Sequence, residues 1–283
     1  MTAELDAAGA PVPPERPEAG APSTASATPE EVARSAAHRE VEREAERAAD
    51  AAREAVAAAL RTTTRGVVDS STRRRAEYST DASNYRVVPE MVVFPVSTDD
   101  VVATLDVTRE LGVPLTARGA GTSVAGNSIG PGVVLDFSRH VNRVLSLDPA
   151  ARTARIEPGV VMSTLQKAAA PHGLRFGPDP STQNRATLGG MIGNNACGPH
   201  AVAYGRTADN VVELDVVDGT GRRFIAGKGD PTFAAVPGLA KIVQDNLALI
   251  RTEFGRFGRQ VSGYSVEHLL PENGSDLDRK SVV

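Results

Sequence analysis

Residues 114–132 read PLTARGAGTSVAGNSIGPG, a short apolar segment followed by a loop rich in glycine. Between Gly119 and Gly126 no side chain is larger than valine. Because glycine adopts positive φ without strain, such a run lets backbone N–H groups converge on one concavity, which suits phosphate oxygens. Arg118 stands at the mouth of this concavity, where a cation would help to hold a diphosphate. We call residues 119–132 the first glycine loop.

The first glycine loop departs from two common phosphate-binding motifs. Val124 stands where a G-x-G-x-x-G turn needs its third glycine, and the loop contains no lysine for a P-loop. The chain continues through GPG at 130–132 into VVLDF at 133–137, which is typical of a strand rather than of a helix. By itself, the loop also fits a glycine-rich turn between two strands.

The composition indicates a folded protein with an aliphatic core. The 283 residues are 41% hydrophobic and 23% charged, but only 4% aromatic, and tryptophan is absent. The net charge of -4 argues against a general nucleic-acid-binding surface.

Cys197 is the only cysteine, which excludes an intramolecular disulfide and a cysteine metal cluster and fits a reducing compartment. No apolar run approaches the roughly 20 residues of a membrane span, and the N-terminus lacks the features of a signal peptide. We therefore expect a cytoplasmic protein without a nucleic-acid partner or a transmembrane segment.

Two regions outside the core are predicted at the N-terminus. Residues 1–29 are rich in Ala, Pro, Ser and Thr, and we expect them to be disordered. Thr28 and the residues after it resemble a capped helix start. Residues 30–62 are dominated by alanine and carry no firm apolar stripe, which predicts a solvated helical extension; a partner-binding coiled coil is the alternative.

The residues around the first glycine loop predict a β-α-β-loop-β unit. A strand is expected at 91–95, followed by a helix that Ser97 caps and Gly112 ends, and by one strand on each side of the loop. Residues 66–86 predict a polar, turn-rich lead-in, whose arginines at 73–75 we interpret as a solvated or salt-bridged face. Further along, the pattern predicts strands at 144–148 and 153–157, a helix from Met162 to His172, a hairpin over 211–225 and a helix over 239–254.

A second stretch, residues 176–210, combines glycines with uncharged polar side chains and reads FGPDPSTQNRATLGGMIGNNACGPHAVAYGRTADN. Long glycine-rich loops without secondary structure are usually functional or disordered, and the apolar residues in this one argue against disorder. Its amide and hydroxyl groups would suit a large, flat ligand with polar edges. We call residues 176–210 the second glycine-rich segment.

Four motifs in this order resemble those of one protein family. They are DASNYRVVPEMVVFPVSTDDVV at 81–102, PLTARGAGTSVAGN at 114–127, PDPSTQNRATLGGMIGNNACG at 178–198 and YGRTADNVVELDVVDGTG at 204–221. From about Ser79 to Leu270 the chain resembles the N-terminal FAD-binding domain of the vanillyl-alcohol-oxidase, or PCMH-type, flavoproteins. The resemblance is to the branch that contains D-lactate, glycolate and D-2-hydroxyglutarate dehydrogenases.

The resemblance implies an α+β fold and a set of FAD-binding residues. The FAD-binding domain would cover 63–283, with sub-lobes at about 85–142 and 143–270 that hold FAD between them. The implied pyrophosphate ligands are Arg118, Gly119, Ala120, Gly121, Thr122 and Ser123. The flavin and ribityl side would be lined by Pro180, Ser181, Leu188, Gly189, Gly190, Asn194 and Asn195. The cleft would be closed by Gly198, Gly205, Arg206 and Thr207. Thr122 occupies the position of the histidine that binds flavin covalently in some members, so we expect non-covalent FAD. Cys197 is interpreted as a small buried residue near the flavin rather than a thioether link, and His200 as a surface or hydrogen-bonding residue rather than a catalytic one.

The implied activity is oxidation of a small 2-hydroxy acid by hydride transfer to flavin. The sequence does not identify the electron acceptor, which could bring the protein to a membrane surface. The catalytic residues and any iron–sulfur cluster would belong to a C-terminal part, and DRKSVV at 278–283 does not resemble the family's continuation. We therefore expect a C-terminally truncated domain. Two alternatives stay open, an inactive FAD-binding or interaction module and an enolpyruvyl-sugar reductase that uses a nicotinamide donor.

Overall fold

The computed structural model describes residues 29–227, 230–255 and 264–274. The helices are α1 Pro29–Thr63, α2 Thr72–Glu77, α3 Thr98–Glu110, α4 Met162–Ala169, α5 Leu188–Gly193, α6 Ala201–Tyr204, α7 Asp230–Ala235, α8 Leu239–Asp245 and α9 Leu247–Glu253. Four 3₁₀ turns cover Ala170–His172, Thr207–Asn210, Val266–Leu269 and Pro271–Asn273. The strands are β1 Val67–Asp69, β2 Met91–Phe94, β3 Leu115–Arg118, β4 Val133–Asp136, β5 Val144–Asp148, β6 Thr153–Ile156, β7 Leu214–Val217 and β8 Arg223–Ala226. The predicted Thr28 cap, the tail before it and the C-terminal DRKSVV lie outside the described residues.

A four-stranded sheet in the order β1-β2-β4-β3 carries the first glycine loop. Strands β2, β4 and β3 run parallel, and β1 pairs with β2 in the antiparallel direction. Every residue of β2 and β4 is buried, as expected for parallel strands that are covered on both faces. The predicted β-α-β-loop-β unit is therefore present, and the Ser97 side chain caps α3 by accepting a hydrogen bond from the Asp100 N–H.

Strand β1 was not expected, because its three residues VVD lie in a segment that otherwise reads as polar and turn-rich. It is held by pairing to β2, with Val68 opposite Val93.

The salt-bridged interpretation of the neighbouring arginines agrees with the structure for two of them. Arg73 pairs with Glu77, and Arg74 pairs with Asp69 and Glu77.

Helix α1 covers the predicted helical extension, but its last turns differ from the expected solvated state. The chain divides into two compact units between Ala49 and Asp50, inside this helix. Within the second unit, Ala57 and Leu60 are fully buried in a cluster with Met91, Val93 and Leu135 of the sheet. The end of α1 is thus part of the sheet's core. Sequence reasoning missed this because two apolar residues do not make a visible stripe.

Leu60→Ala is expected to lower the free energy of unfolding by about 2–5 kcal/mol, since it removes a fully buried side chain and leaves a cavity. Leu249→Ala is the matched control, because Leu249 also lies on a helix but is 54% exposed. Urea denaturation followed by circular dichroism measures both. Equal, small effects would contradict a core position for Leu60.

Two further apolar clusters support the remaining elements. One joins α4 to α5 through Met162, Leu165, Leu188 and Met191. The other lies beneath the β7–β8 hairpin and includes residues of α8 and α9.

The predicted single helix over 239–254 is wrong, because Asn246 interrupts it with a non-helical conformation and separates α8 from α9.

Candidate functional site

The first glycine loop begins at the carboxyl end of β3, where ligands bind in open parallel sheets. Gly121 has φ +67°, a left-handed conformation that favours glycine. Within the described chain, the backbone N–H groups of residues 119–123 have no hydrogen-bond acceptor. The loop therefore presents five consecutive donors for an outside acceptor, which is the chemistry expected of an oxyanion site.

Arg118 forms hydrogen bonds within the chain, beside Gly121 of the first glycine loop. Its Nη1 donates to the Ser128 carbonyl and its Nη2 to the Thr80 carbonyl, each at 3.0 Å. The guanidinium also lies 4.9 Å from the centre of the Tyr78 ring. Arg118 is thus bound to Ser128 of the first glycine loop and to Thr80 before it, and its contact with a diphosphate stays a prediction.

The two glycine-rich stretches meet at Gly119 and Thr187. A Cβ atom at position 119 would overlap Thr187 Oγ1 and lie 3.2 Å from Thr187 Cβ. The same hydroxyl caps α5 by accepting a hydrogen bond of 3.3 Å from the Gly190 N–H. Glycine at 119 is therefore required by the close approach of the two segments.

Part of the second glycine-rich segment is helical, contrary to the expectation of a loop without secondary structure. Helix α5 has the sequence LGGMIG, in which three glycines lower the helix propensity. It forms because Thr187 caps it and because Leu188 and Met191 are buried in the core. The N–H groups of Leu188 and Gly189 donate to the carbonyls of Val160 and Pro158, at 2.7 and 2.8 Å. The N–H groups of these two predicted cofactor residues are therefore already bonded within the chain.

Two other predicted site residues hold the second glycine-rich segment together. Thr207 is fully buried, and both its N–H and its hydroxyl donate to the Ala196 carbonyl, at 2.9 and 2.6 Å. Asn195 adopts φ +44°, and its Oδ1 accepts a hydrogen bond of 3.1 Å from the Ala208 N–H. By contrast, Ser181 and Asn194 are exposed.

Gly198 packs against Asp179, as a Cβ at that position would overlap the Asp179 carboxylate and carbonyl. The carboxylate accepts a hydrogen bond of 3.2 Å from the His200 N–H, and it also contacts His200 Nδ1. The hydrogen-bonding interpretation of His200 agrees with this geometry. The His200 side-chain bond lowers the pKa of Asp179 below its ordinary value, and Arg175 adds to the effect.

His200→Ala is expected to raise the pKa of Asp179 toward 3.8, because the bond that stabilises the carboxylate is removed. Since the pKa of Asp179 in the folded chain lies below the unfolded value, the bond stabilises the fold above about pH 4. That contribution is lost as the pH falls through the lowered pKa. Carboxyl ¹³C NMR titration measures the change, with Asp218 as an internal control, since its pKa is lowered by Thr220 and Arg222. An unchanged titration of Asp179 would contradict the pairing.

The remaining predicted residues lie in the connections between helical segments. Gly205 has φ +73°, and a Cβ there would lie 2.8 Å from Asp209 Oδ2. Arg206 pairs with Asp209, with Nε and Oδ2 3.2 Å apart. Cys197 is half-buried, less than expected.

In the described ranges, no helix is long and apolar enough to cross a membrane, and no group of three or more His, Cys, Asp or Glu could hold a metal ion.

Sequence reasoning assigned no role to residues 78–86, although several of them contact the first glycine loop or Arg118. Ala82 N–H donates to the Gly121 carbonyl at 3.1 Å, and Asp81 accepts from the Ser128 hydroxyl at 2.9 Å. The available signal was the DASNYR sequence at 81–86, which contributed to the resemblance but contains no glycine-rich phosphate-binding motif.

Residues 89–227 match the model of a FAD binding domain. This part of the chain belongs to that family, of the PCMH type, and the α+β expectation is confirmed. The structure of 6-hydroxy-D-nicotine oxidase from Arthrobacter nicotinovorans aligns with a TM-score of 0.53 at 23% identity, over 62% of this chain and 38% of that one. BBE-like 1 from Physcomitrella patens aligns with a TM-score of 0.55 at 21% identity, over 61% and 37%. At these identities the two structures show a shared fold.

Curated relatives are more similar in sequence. The chain is 39% identical over 225 residues to D-2-hydroxyglutarate dehydrogenase of Pseudomonas putida, which covers 74% of this chain and 22% of the relative. It is 39% identical over 136 residues to the glycolate oxidase subunit GlcD of Escherichia coli K12, which covers 47% of this chain and 27% of the relative. The chain thus spans about a fifth to a quarter of the length of these relatives.

Proposed function

We propose that this chain binds FAD non-covalently and takes part in the oxidation of a small 2-hydroxy acid, such as D-lactate, glycolate or D-2-hydroxyglutarate. The observation that carries the proposal is the row of N–H groups at residues 119–123, which lack acceptors in the described chain and begin at Gly119, beside Thr187. The names of the relatives supply the substrate class.

The first glycine loop fits a diphosphate by its donor chemistry. Neutral N–H groups of Gly119, Ala120, Gly121, Thr122 and Ser123 would hold the phosphate oxygens. Gly119 and Gly121 leave room for Thr187 and Arg118, and Arg118 supports the loop through its hydrogen bond to the Ser128 carbonyl. Thr122 has no imidazole with which to form a covalent link to flavin, which supports a non-covalent mode.

The second glycine-rich segment would supply the other wall of the FAD site. Gly190 lies beside Thr187 and Gly189 packs closely against Pro158, while the exposed Ser181 and Asn194 carry neutral hydrogen-bonding groups. When bound, FAD supplies the capacity to accept two electrons from the hydroxyl-bearing carbon of the substrate. The described residues act by binding and orienting the FAD.

The single cysteine fits a reducing compartment, so we infer a cytoplasmic location. An iron–sulfur cluster would need cysteines beyond Cys197.

Reconstitution of the 283-residue chain with FAD tests the proposal. We expect a yellow protein with one FAD per chain, complete release of the flavin by acid, and anaerobic bleaching of the flavin absorbance by one of the three hydroxy acids. Bound FAD that no hydroxy acid bleaches would contradict the oxidation and favour an inactive module. Bleaching by NADPH would favour an enolpyruvyl-sugar reductase. A folded protein that stays colourless would contradict FAD binding itself.

A further inference from the structure

Residues 78–86 form a segment that lies against the first glycine loop, and we call it the supporting segment. It precedes the region that matches the FAD binding domain, which begins at residue 89. The segment folds back on itself through an isolated bridge between Thr80 and Arg86 and a hydrogen bond of 2.9 Å from the Val87 N–H to the Ser79 carbonyl. It is therefore an ordered turn and a suitable partner for a glycine-rich loop.

The hydrogen bond from Ala82 to Gly121 sets the direction of one donor in the loop. In a planar trans peptide unit, the C=O of one residue and the N–H of the next point in opposite directions. Because the Gly121 carbonyl is bound to the Ala82 N–H at 3.1 Å, the Thr122 N–H points away from the supporting segment. This N–H is one of the five without an acceptor in the described chain.

Asp81 fixes the far end of the same loop. Its Oδ2 accepts hydrogen bonds from the Ser128 hydroxyl at 2.9 Å and from the Ser128 N–H at 3.4 Å. Its Oδ1 accepts from the Ser83 N–H at 2.8 Å, so the carboxylate is oriented within its own turn. Ser128 is buried, and its carbonyl is the acceptor for Arg118.

Tyr78 completes the support through Arg118. Its ring lies 4.9 Å from the Arg118 guanidinium, an arrangement that favours a cation. The Tyr78 hydroxyl donates a hydrogen bond of 2.6 Å to Asp136, a buried residue at the end of β4. The ring is thereby fixed to the sheet, and Arg118 is held between this ring and the carbonyls of Thr80 and Ser128.

We propose that the supporting segment positions the first glycine loop for the FAD pyrophosphate, with Asp81 and Tyr78 as positioning residues. The inference rests on the proposed function and adds residues outside the matched domain to it. Glycine-rich loops lose much conformational entropy when they become ordered, and contacts that hold the bound conformation in advance reduce that loss on binding. The supporting segment makes such contacts at Gly121, at Ser128 and, through Arg118, at the end of β3.

The test compares Asp81→Ala with Asp148→Ala. Asp148 is a matched control because its carboxylate also accepts two backbone N–H groups, from Ala150 and Ala151, in a turn of the β5–β6 hairpin. We expect Asp81→Ala to weaken FAD binding about 10-fold, the equivalent of one lost hydrogen bond to a charged group. The control is expected to bind FAD as the wild type does. Fluorescence quenching of free FAD gives both affinities, and the melting temperature without FAD gives the stability.

A spectroscopic readout separates positioning from general destabilisation. With saturating FAD, the ³¹P resonances of the pyrophosphate in Asp81→Ala are expected to move toward those of free FAD, and those of Asp148→Ala to stay at the wild-type values. If Asp81→Ala does not fold, Asp81→Asn and Ser128→Ala take its place, with the same direction and smaller size expected. Wild-type affinity and ³¹P shifts in the folded Asp81 and Ser128 variants would overturn this inference alone. Failure of the wild-type chain to bind FAD would overturn the proposed function.

Discussion

Gly121→Asp is expected to abolish FAD binding, so that the purified variant is colourless after reconstitution. Three effects act in the same direction. An aspartate at φ +67° is strained, its Cβ would lie 2.9 Å from Arg118 Cζ, and its carboxylate would repel the phosphate oxygens. The displacement of Arg118 would also weaken its bonds to the Thr80 and Ser128 carbonyls.

Gly112→Asp is the control that isolates the position from the substitution. Gly112 has φ +65°, and nothing lies within 4 Å of a Cβ built there. It therefore shares the backbone strain, about 1–2 kcal/mol, and the added charge, without a neighbour to displace. We expect Gly112→Asp to bind FAD, and flavin absorbance after gel filtration compares the two variants. Retention of yellow colour in Gly121→Asp would count against the loop as the pyrophosphate site.

Gly119→Ala is expected to weaken FAD binding by roughly 10- to 100-fold, within the range that overpacking of about 1–3 kcal/mol produces. The new methyl group would overlap Thr187 Oγ1, so the first glycine loop must move away from α5. Gly193→Ala is the control, because a Cβ at Gly193 meets nothing within 4 Å. Isothermal titration calorimetry with FAD measures both variants.

A second substitution tests whether the contact with Thr187 is the cause. Thr187→Ala removes the hydroxyl that the new methyl group would overlap, although it also removes the cap of α5 at a cost of about 1 kcal/mol. We expect the double variant to bind FAD more tightly than Gly119→Ala alone. If the double variant binds no better, the loss in Gly119→Ala has another origin, and the meeting of the two glycine-rich stretches does not determine FAD affinity.

The parallel strands and the helix between them could be predicted from the sequence because each carries a strong local signal. MVVF and VVLD are continuous apolar runs, and Ser97 followed by two aspartates is a recognisable helix start. The predictions failed where tertiary contacts outweigh local preference. LGGMIG is helical because Leu188 and Met191 are buried, and VVD is a strand because β2 offers an edge.

The candidate site shows the same division between local and tertiary information. The expectation that glycines of the first loop adopt positive φ is met at Gly121 and Gly126. The role of Arg118 could not be read from its neighbours in sequence, because its partner Thr80 lies 38 residues earlier in the chain. Thr207 and Asn195 likewise form hydrogen bonds inside the chain that no spacing rule reveals.

The buried end of α1 affects how this region could be transplanted into another protein. A graft that started at Pro89, where the family match begins, would leave Met91 and Val93 without the cover that Leu60 gives them. It would also remove the edge partner of β2, and Arg118 would lose both its aromatic neighbour and one of its two acceptors. The portable flavin-binding module therefore starts upstream of the family boundary, at the last turns of the long N-terminal helix.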